Sequence, residues 1–176
     1  MIWQYKDQSP QMGDQVFIAP NACVIGDVHL GDFSNIWFGC VLRGDVHSIH
    51  IGQYCNIQDQ SLLHVTGGQF PLNMGNYCTL GHKVLLHGCT LADYAFIGMG
   101  AMVMDGARVG SMALVAAGSM VTPGKEIPDR CVAMGRPAQV VREITAAEEA
   151  MIQNTPQKYF ELAQEYKNSA NFFPLS

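Results

Sequence analysis

The sequence predicts an all-β chain that folds as a parallel β-helix of hexapeptide repeats and ends in an α-helix. An aliphatic side chain recurs every six residues through most of the chain, and a small residue follows most of them four positions later. A period of six specifies a parallel β-helix in which each hexad supplies one short strand and one turn. The repeating aliphatic residues are Ile18, Val24, Leu30, Ile36, Leu42, Ile51, Ile57, Leu63, Met74, Leu80, Leu86, Leu91, Ile97, Val103, Val109, Val115 and Val121.

The 176 residues suffice for one domain with three parts in chain order. We expect residues 1–16 to form a polar cap over the open end of the β-helix, because a solenoid needs its terminal coil covered. Residues 17–122 carry the repeat itself. Residues 123–176 are expected to form a loop and a helix that packs back on the solenoid.

Local signals place the C-terminal helix. Thr145 and Glu148 have the spacing of a capping box that starts a helix. Thr155-Pro156 then predicts a restart or kink, since proline is favoured at a first helical position. The side expected to contact the solenoid carries Tyr159, Leu162, Ala163 and Tyr166.

Composition excludes several classes of partner and location. The net charge of −5 argues against nucleic acid or an anionic membrane as partner. No apolar run approaches the roughly 18 residues of a transmembrane helix, and the start MIWQYKDQ is no signal peptide, so we expect a cytoplasmic protein. Cys40, Cys55 and Cys78 occupy small corner positions of the repeat, which predicts buried free thiols.

The repeat also fixes where polar side chains point. If the three faces of the prism are labelled A, B and C in chain order, the leucines that precede Arg43, His64 and His87 fall on face A in successive coils. These three side chains therefore form a ladder at the strand spacing of about 4.8 Å. Asp59 and His82 stack on face C, which is a different side of the prism.

This arrangement predicts a metal site shared between chains. His64 and His87 on adjacent coils can share one ion, but a zinc ion needs its ligands about 2.0–2.1 Å away, and His82 lies on another face. A threefold homotrimer would bring face A of one chain to the edge near face C of the next. Three neutral imidazoles with an open fourth position form a catalytic zinc site, where bound water has a pKa near 7 and yields hydroxide.

Polar residues near these histidines have candidate roles of their own. Arg43 is expected to pair with Asp45 and Asp59, which would position an anion or orient a ligand. Gln58 could hold a water or bicarbonate by hydrogen bonds. The Arg43–Asp45 pair is equally well interpreted as a salt bridge between subunits.

Three motifs together resemble the γ-class carbonic anhydrase family over roughly residues 10–140. They are Arg43-Gly-Asp45, then Asn56-Ile-Gln58-Asp59 with His64 five residues later, and Gly81-His82 with His87 five residues later. The resemblance implies a left-handed β-helix, since hexapeptide-repeat proteins depart from the usual right-handed crossover. It also implies a homotrimer that catalyses the reversible hydration of CO₂ to bicarbonate.

The resemblance further implies a site at each trimer interface. Zinc, or iron(II) or cobalt(II) in some members, would be bound by His64 and His87 of one subunit and His82 of the next. Gln58 would orient the bound hydroxide or bicarbonate. The groups around the ligands and at the interface would be Arg43, Asp45, Asn56 and Asp59.

One departure from the family pattern affects the expected rate. The most active members have a glutamate directly after the aspartate that matches Asp45, and a second glutamate in an acidic loop. Here Val46 follows Asp45, and the loop Val65–Asn73 has no carboxylate. We therefore expect weak activity, with His47 as a substitute proton shuttle or simply as an exposed loop histidine.

Two other classes of function remain open. Many hexapeptide-repeat trimers are acyltransferases that use a histidine base in the cleft between subunits, and metal-dependent thioester cleavage is a hydrolytic variant at the same histidines. A non-catalytic trimeric scaffold stapled by metal is the other alternative. Metal bound at His64, His82 and His87 would occupy the obvious bases and argue against the acyltransferase.

Overall fold

The computed structural model describes residues 1–169, which form a left-handed parallel β-helix of the hexapeptide type with one C-terminal helix, as predicted. The elements in chain order are β1 (Ile2–Trp3), β2 (Gln11–Met12), β3 (Phe17–Ile18), β4 (Cys23–Leu30), β5 (Asn35–Ile36), β6 (Val41–Ile51), β7 (Asn56–Ile57), β8 (Leu62–His64), β9 (Leu72–Met74), β10 (Thr79–Leu80), β11 (Leu85–His87), β12 (Thr90–Leu91), β13 (Phe96–Ile97), β14 (Met102–Val103), β15 (Arg108–Val109), β16 (Leu114–Val115), β17 (Met120–Val121), β18 (Glu126–Ile127), β19 (Cys131–Gly135), β20 (Ala138–Glu143) and α1 (Ala146–Asn168).

The strands stack in parallel on the three predicted faces. Face A consists of the first halves of β4 and β6 followed by β8, β11, β14 and β17. Face B continues from the second halves of β4 and β6 through β9, β12, β15 and β18. Face C is the separate sheet β3, β5, β7, β10, β13, β16 and β19. The long strands β4 and β6 each cross the corner between faces A and B.

The inward side chains form one continuous core. Leu42, Leu63 and Leu86 are fully buried and follow one another in the register of face A. The predicted corner thiols of Cys40, Cys55 and Cys78 are buried and free, and burial raises the pKa of the Cys40 thiol to about 11. The cysteines therefore act as small apolar residues at the tight corners.

The first residues cover the edge of the first coil. β1 pairs with the first half of β4, and β2 pairs with its second half. The amino group of Met1 donates a hydrogen bond to the carbonyl of Ala22. Residues 1–16 thus continue faces A and B by one incomplete turn.

The repeat extends past residue 122, where the sequence pattern placed its end. β18 pairs in parallel with β15, and β19 pairs in parallel with β16 before β20 returns antiparallel to β19. Pro123 appeared to break the pattern, but it lies in the turn between two strands, where no ladder hydrogen bond is lost. Ile127 keeps the period of six from Val121 and is buried.

The helix α1 lies along face C. It buries Ile152, Pro156 and Ala163, and it continues through Pro156 without the restart that the sequence suggested. Tyr159 and Tyr166 pack edge-on against Trp37, whereas Leu162 is exposed, contrary to expectation. No helix within residues 1–169 combines the length and the apolarity that a membrane crossing requires.

The predicted capping box is present at the start of α1. The Glu148 backbone N–H donates to Thr145 Oγ1 over 3.2 Å, and the Thr145 backbone N–H donates to Glu148 Oε2 over 2.8 Å. We expect Thr145→Ala to lower the free energy of unfolding by about 1 kcal/mol, because an N-terminal backbone donor loses its acceptor. Thr145→Ser is the matched control in urea unfolding. Equal losses in both variants would contradict the capping role.

Candidate metal centre

His64 and His87 lie side by side on face A. They end β8 and β11, whose register places the two residues directly opposite each other. His64 Nδ1 is 3.0 Å from His87 Nε2. Two nitrogens that bind one tetrahedral zinc ion at 2.0–2.1 Å lie about 3.3 Å apart. A small increase in the distance between these two nitrogens would therefore let both bind one metal ion.

Asp45 and Arg43 complete the face A cluster. Asp45 Oδ1 is 3.0 Å from His64 Nε2, and Arg43 Nη1 donates to Asp45 Oδ2 within the same chain. Burial raises the pKa of the Asp45 carboxyl, but the hydrogen bonds from His64 and Arg43 and the Arg43 charge outweigh it, so the pKa lies below its ordinary value. The carboxylate is therefore charged where it faces the imidazole.

His82 stands apart on face C, as the repeat predicted. Its Nδ1 is 2.8 Å from Asp59 Oδ2 in the coil below. Asp59 thus lies on a different side of the prism from Arg43, so the expected pairing of Arg43 with Asp59 could form only between subunits and stays a prediction. With Nδ1 held by a carboxylate, Nε2 is the His82 nitrogen that is left for a ligand.

Sequence reasoning missed a third carboxylate, Asp105. Its Oδ1 is 2.7 Å from His87 Nδ1, and its Oδ2 accepts a hydrogen bond of 3.0 Å from Thr66 Oγ1. Asp105 follows β14, in the coil after His87. Asp105 stands two residues after the core residue Val103, and this spacing does not single it out, because Asp32, Asp93 and Asp129 stand at the same spacing after Leu30, Leu91 and Ile127.

Each of the three histidines thus has its own carboxylate partner. The pairs are His64–Asp45, His82–Asp59 and His87–Asp105. Metal-binding histidines usually have one nitrogen oriented in this way by a carboxylate while the other binds the ion. The chemistry of these side chains fits a three-histidine metal site.

A single chain does not complete the site. Within residues 1–169, no group of three or more His, Cys, Asp or Glu side chains converges on one metal position. Arg43, Asp45, His64 and His87 come together on face A, while Asp59 and His82 come together on face C. A metal held by all three histidines requires a second copy of the chain.

The two amides predicted for the site lie beneath α1 on face C. Gln58 Nε2 donates to Asn56 Oδ1 over 3.0 Å, and Asn56 Nδ2 donates to Thr79 Oγ1 over 2.8 Å. Asn56 and Gln58 are both buried. The Asn56 amide therefore fixes the orientation of Gln58, whose side chain reaches the same groove as His82.

This groove was not predicted. It encloses about 430 Å³ between face C and α1, and its mostly apolar walls include Phe96, Met99, Leu114 and Tyr159 beside Gln58 and His82. Burial, followed by the charge of Asp59, raises the pKa of the Tyr159 hydroxyl. The groove suits a small, largely apolar molecule that meets one amide and one imidazole.

The remaining histidines have surroundings of their own. His29 and His50 stack with their ring centroids 4.4 Å apart, and His29 Nε2 contacts Asp27 Oδ1 at 2.8 Å. His47 lines a polar pocket of about 410 Å³ that also contains Asp45. His47 thus shares this pocket with Asp45, one member of the face A cluster.

Comparisons with known proteins give both family and fold. A family model described as bacterial transferase hexapeptide (six repeats) matches residues 9–44. The chain is 45% identical to Gamma carbonic anhydrase 2, mitochondrial, of Arabidopsis thaliana, over 94% of this chain but 62% of that protein. It therefore spans less than two thirds of the plant protein's length.

Two further relatives match over nearly their whole length. Carbonic anhydrase of Geobacillus kaustophilus is 42% identical, over 95% of this chain and 91% of that protein. The crystal structure of a hexapeptide transferase family protein from Anaplasma phagocytophilum superposes with a TM-score of 0.89 at 40% identity, over 94% of this chain and 97% of that one. Both the sequence and the fold are thus shared along the length of the β-helix.

Proposed function

The chain belongs to the γ-class carbonic anhydrase family, and from this premise we propose that it catalyses the reversible hydration of CO₂ to bicarbonate. The observation that carries the proposal is the carboxylate partner of each histidine, His64, His82 and His87. These imidazoles would hold zinc, or iron(II) or cobalt(II). When bound, such an ion supplies Lewis-acid activation of water near neutral pH.

A homotrimer is the assembly that would complete this site. Face A carries a ladder of outward apolar side chains beside His64 and His87, and its members are Val41, Leu62, Leu85, Met102 and Met120. Leu62 is 40% exposed in the single chain. A neighbouring subunit seated on this ladder would bury it and bring its own His82 toward the pair.

The chain's other residues would bind and orient the substrate. The apolar groove beside His82 would accept CO₂ and keep bulk water away from it. The Gln58 amide, fixed by Asn56, would hydrogen-bond to an oxygen of CO₂ or bicarbonate. Asp45 and Asp59 would keep their imidazoles in place, and Arg43 would hold Asp45 through their ion pair.

Proton removal is the step for which this chain is poorly equipped. Val46 and the loop Val65–Asn73 provide no carboxylate. His47 accepts a hydrogen bond of 2.8 Å at Nδ1 from the Ser48 backbone N–H, so a neutral His47 carries its proton on Nε2. A positioned proton-transfer group contributes about 10²- to 10⁴-fold to a rate, so we expect turnover that is slow and rises with added imidazole buffer.

The test is metal content and CO₂ hydration on one preparation. The protein is purified without oxygen, stripped, and reloaded separately with zinc, cobalt(II) and iron(II). We expect about one metal per chain, because a threefold trimer has as many interfaces as subunits. We expect hydration that requires the metal and increases with imidazole concentration.

Other outcomes would favour the rival functions. The acyltransferase alternative has support from the transferase description of the Anaplasma structure. Absence of metal, together with acetyl transfer from acetyl-CoA, would replace the proposal with that activity. A full site with no hydration under any metal or buffer would also overturn it, and acetyl-CoA hydrolysis would then separate a thioesterase from a metal-stapled scaffold. A cytoplasmic location remains a prediction from the sequence.

A further inference from the structure

We infer that Asp105, held in place by Thr66, is a positioning residue for His87. This inference rests on the proposed metal site, because it concerns how one of its ligands is oriented. Asp105 Oδ1 lies 2.7 Å from His87 Nδ1, and Thr66 Oγ1 donates to Asp105 Oδ2 over 3.0 Å. Both carboxylate oxygens are therefore in use, one for the imidazole and one for the anchor.

The carboxylate determines which nitrogen of His87 carries the proton. An ionised carboxylate only accepts hydrogen bonds, so His87 must place its N–H on Nδ1. The lone pair of the neutral ring is then on Nε2, the atom that lies 3.0 Å from His64 Nδ1. Asp105 thus presents the correct nitrogen of His87 to the position that the metal would take.

The backbone around His87 is shaped to admit Asp105. Gly88 adopts φ +50°, and a Cβ atom at this position would lie 2.3 Å from Asp105 Oδ1 and 2.6 Å from Phe70 Cβ. Only glycine leaves this space open without strain. The close approach of the carboxylate is therefore built into the corner after β11.

The same arrangement occurs twice on face A. Arg43 fixes Asp45, which contacts His64, and Thr66 fixes Asp105, which contacts His87. Thr66 belongs to the loop Val65–Asn73, and a bridge between Thr66 and Phe70 closes that loop on itself. This loop has no carboxylate of its own, but through Thr66 it anchors the Asp105 carboxylate, which lies two coils further along the β-helix.

The experiment compares four single variants of the full chain. Asp105→Asn removes the charge, Thr66→Val removes the anchor, and Thr66→Ser keeps the hydroxyl. Asp93→Asn is the matched control, because Asp93 Oδ1 accepts a hydrogen bond from the Asn76 backbone at another corner of the prism. Zinc affinity is measured by competition with a chromophoric chelator. The protonated nitrogen of His87 is identified by ¹⁵N NMR on metal-free protein at about pH 8, above the ordinary histidine pKa.

We expect Asp105→Asn to weaken zinc binding about 10- to 100-fold and to lose the uniform Nδ1–H form of His87. Thr66→Val should change the zinc affinity and the His87 tautomer in the same direction as Asp105→Asn, but by a smaller amount. Thr66→Ser and Asp93→Asn should match the unmodified chain in both measurements. Unchanged zinc affinity and an unchanged His87 tautomer in Asp105→Asn would overturn the inference. If Asp105→Asn does not fold, equal results for Thr66→Val and Thr66→Ser would overturn it instead.

The two readouts separate this inference from the proposed function. If the unmodified chain binds no zinc, the proposed function fails, yet the His87 tautomer still shows whether Asp105 positions the ring. If the unmodified chain binds zinc but does not hydrate CO₂, only the proposed reaction is contradicted. The zinc affinities of the variants then still test the role of Asp105.

Discussion

His82→Ala is expected to remove metal binding and, with it, CO₂ hydration. The metal affinity should fall by more than about 100-fold. Loss of a group that merely orients a ligand lowers metal affinity about 10- to 100-fold, and His82 would be a ligand itself. Metal content after dialysis and the hydration rate measure the loss. The control is His50→Ala, since His50 is exposed on face B and stacks on His29.

Mixed trimers make this prediction specific for a site between subunits. Chains with His82→Ala and chains with His64→Ala carry different affinity tags, and trimers that contain both are isolated. In any trimer that contains both chains, one of the three interfaces joins an intact His64 to an intact His82 of the next chain. Such trimers should therefore bind about one third of the metal that the unmodified trimer binds. Mixed trimers that bind no metal, or His82→Ala trimers that retain it, would contradict the shared site.

Leu86→Ala is expected to cause the largest loss of stability. Leu86 is fully buried in the stack of face A leucines, and its replacement removes a core side chain and leaves a cavity. Such substitutions cost about 3–5 kcal/mol of unfolding free energy where the surroundings cannot collapse. Urea unfolding at one fixed protein concentration measures it, since assembly makes stability depend on concentration.

The matched control is Leu162→Ala, because Leu162 is 39% exposed on α1. A surface substitution of this kind should change the free energy of unfolding by no more than about 0.5 kcal/mol. Similar losses for the two leucines would mean that the solenoid core tolerates a cavity as readily as the surface tolerates truncation, and the packing argument would fail.

The sequence predicted features that follow from the period of six. The period sets which residues face inward and which stand in one ladder, so the pairing of His64 with His87 and the separate position of His82 were accessible without coordinates. The capping box at Thr145 was equally accessible because it is a local pattern over four residues.

Features that depend on contacts between distant segments were not accessible. Asp105 meets Thr66 across 39 residues of chain, and no spacing rule relates the two. The groove beside Gln58 forms only when α1 lies on face C, so its walls come from separate parts of the sequence. Leu162 was misplaced because the buried side of α1 is narrower than the pattern suggested: it runs through Ile152, Pro156 and Ala163 and leaves Leu162 exposed at its edge.

The ladder register has a consequence for how the length of this chain can change. Successive side chains of a strand alternate between the two sides of a sheet, so one residue added within β11 would turn His87 into the core. One added hexad would move His87 to another face, and only a whole coil of about eighteen residues would restore its direction. Between His64 and His87, insertions and deletions that preserve the pair are therefore confined to loops such as residues 65–71, where added length leaves the strands at both ends in place.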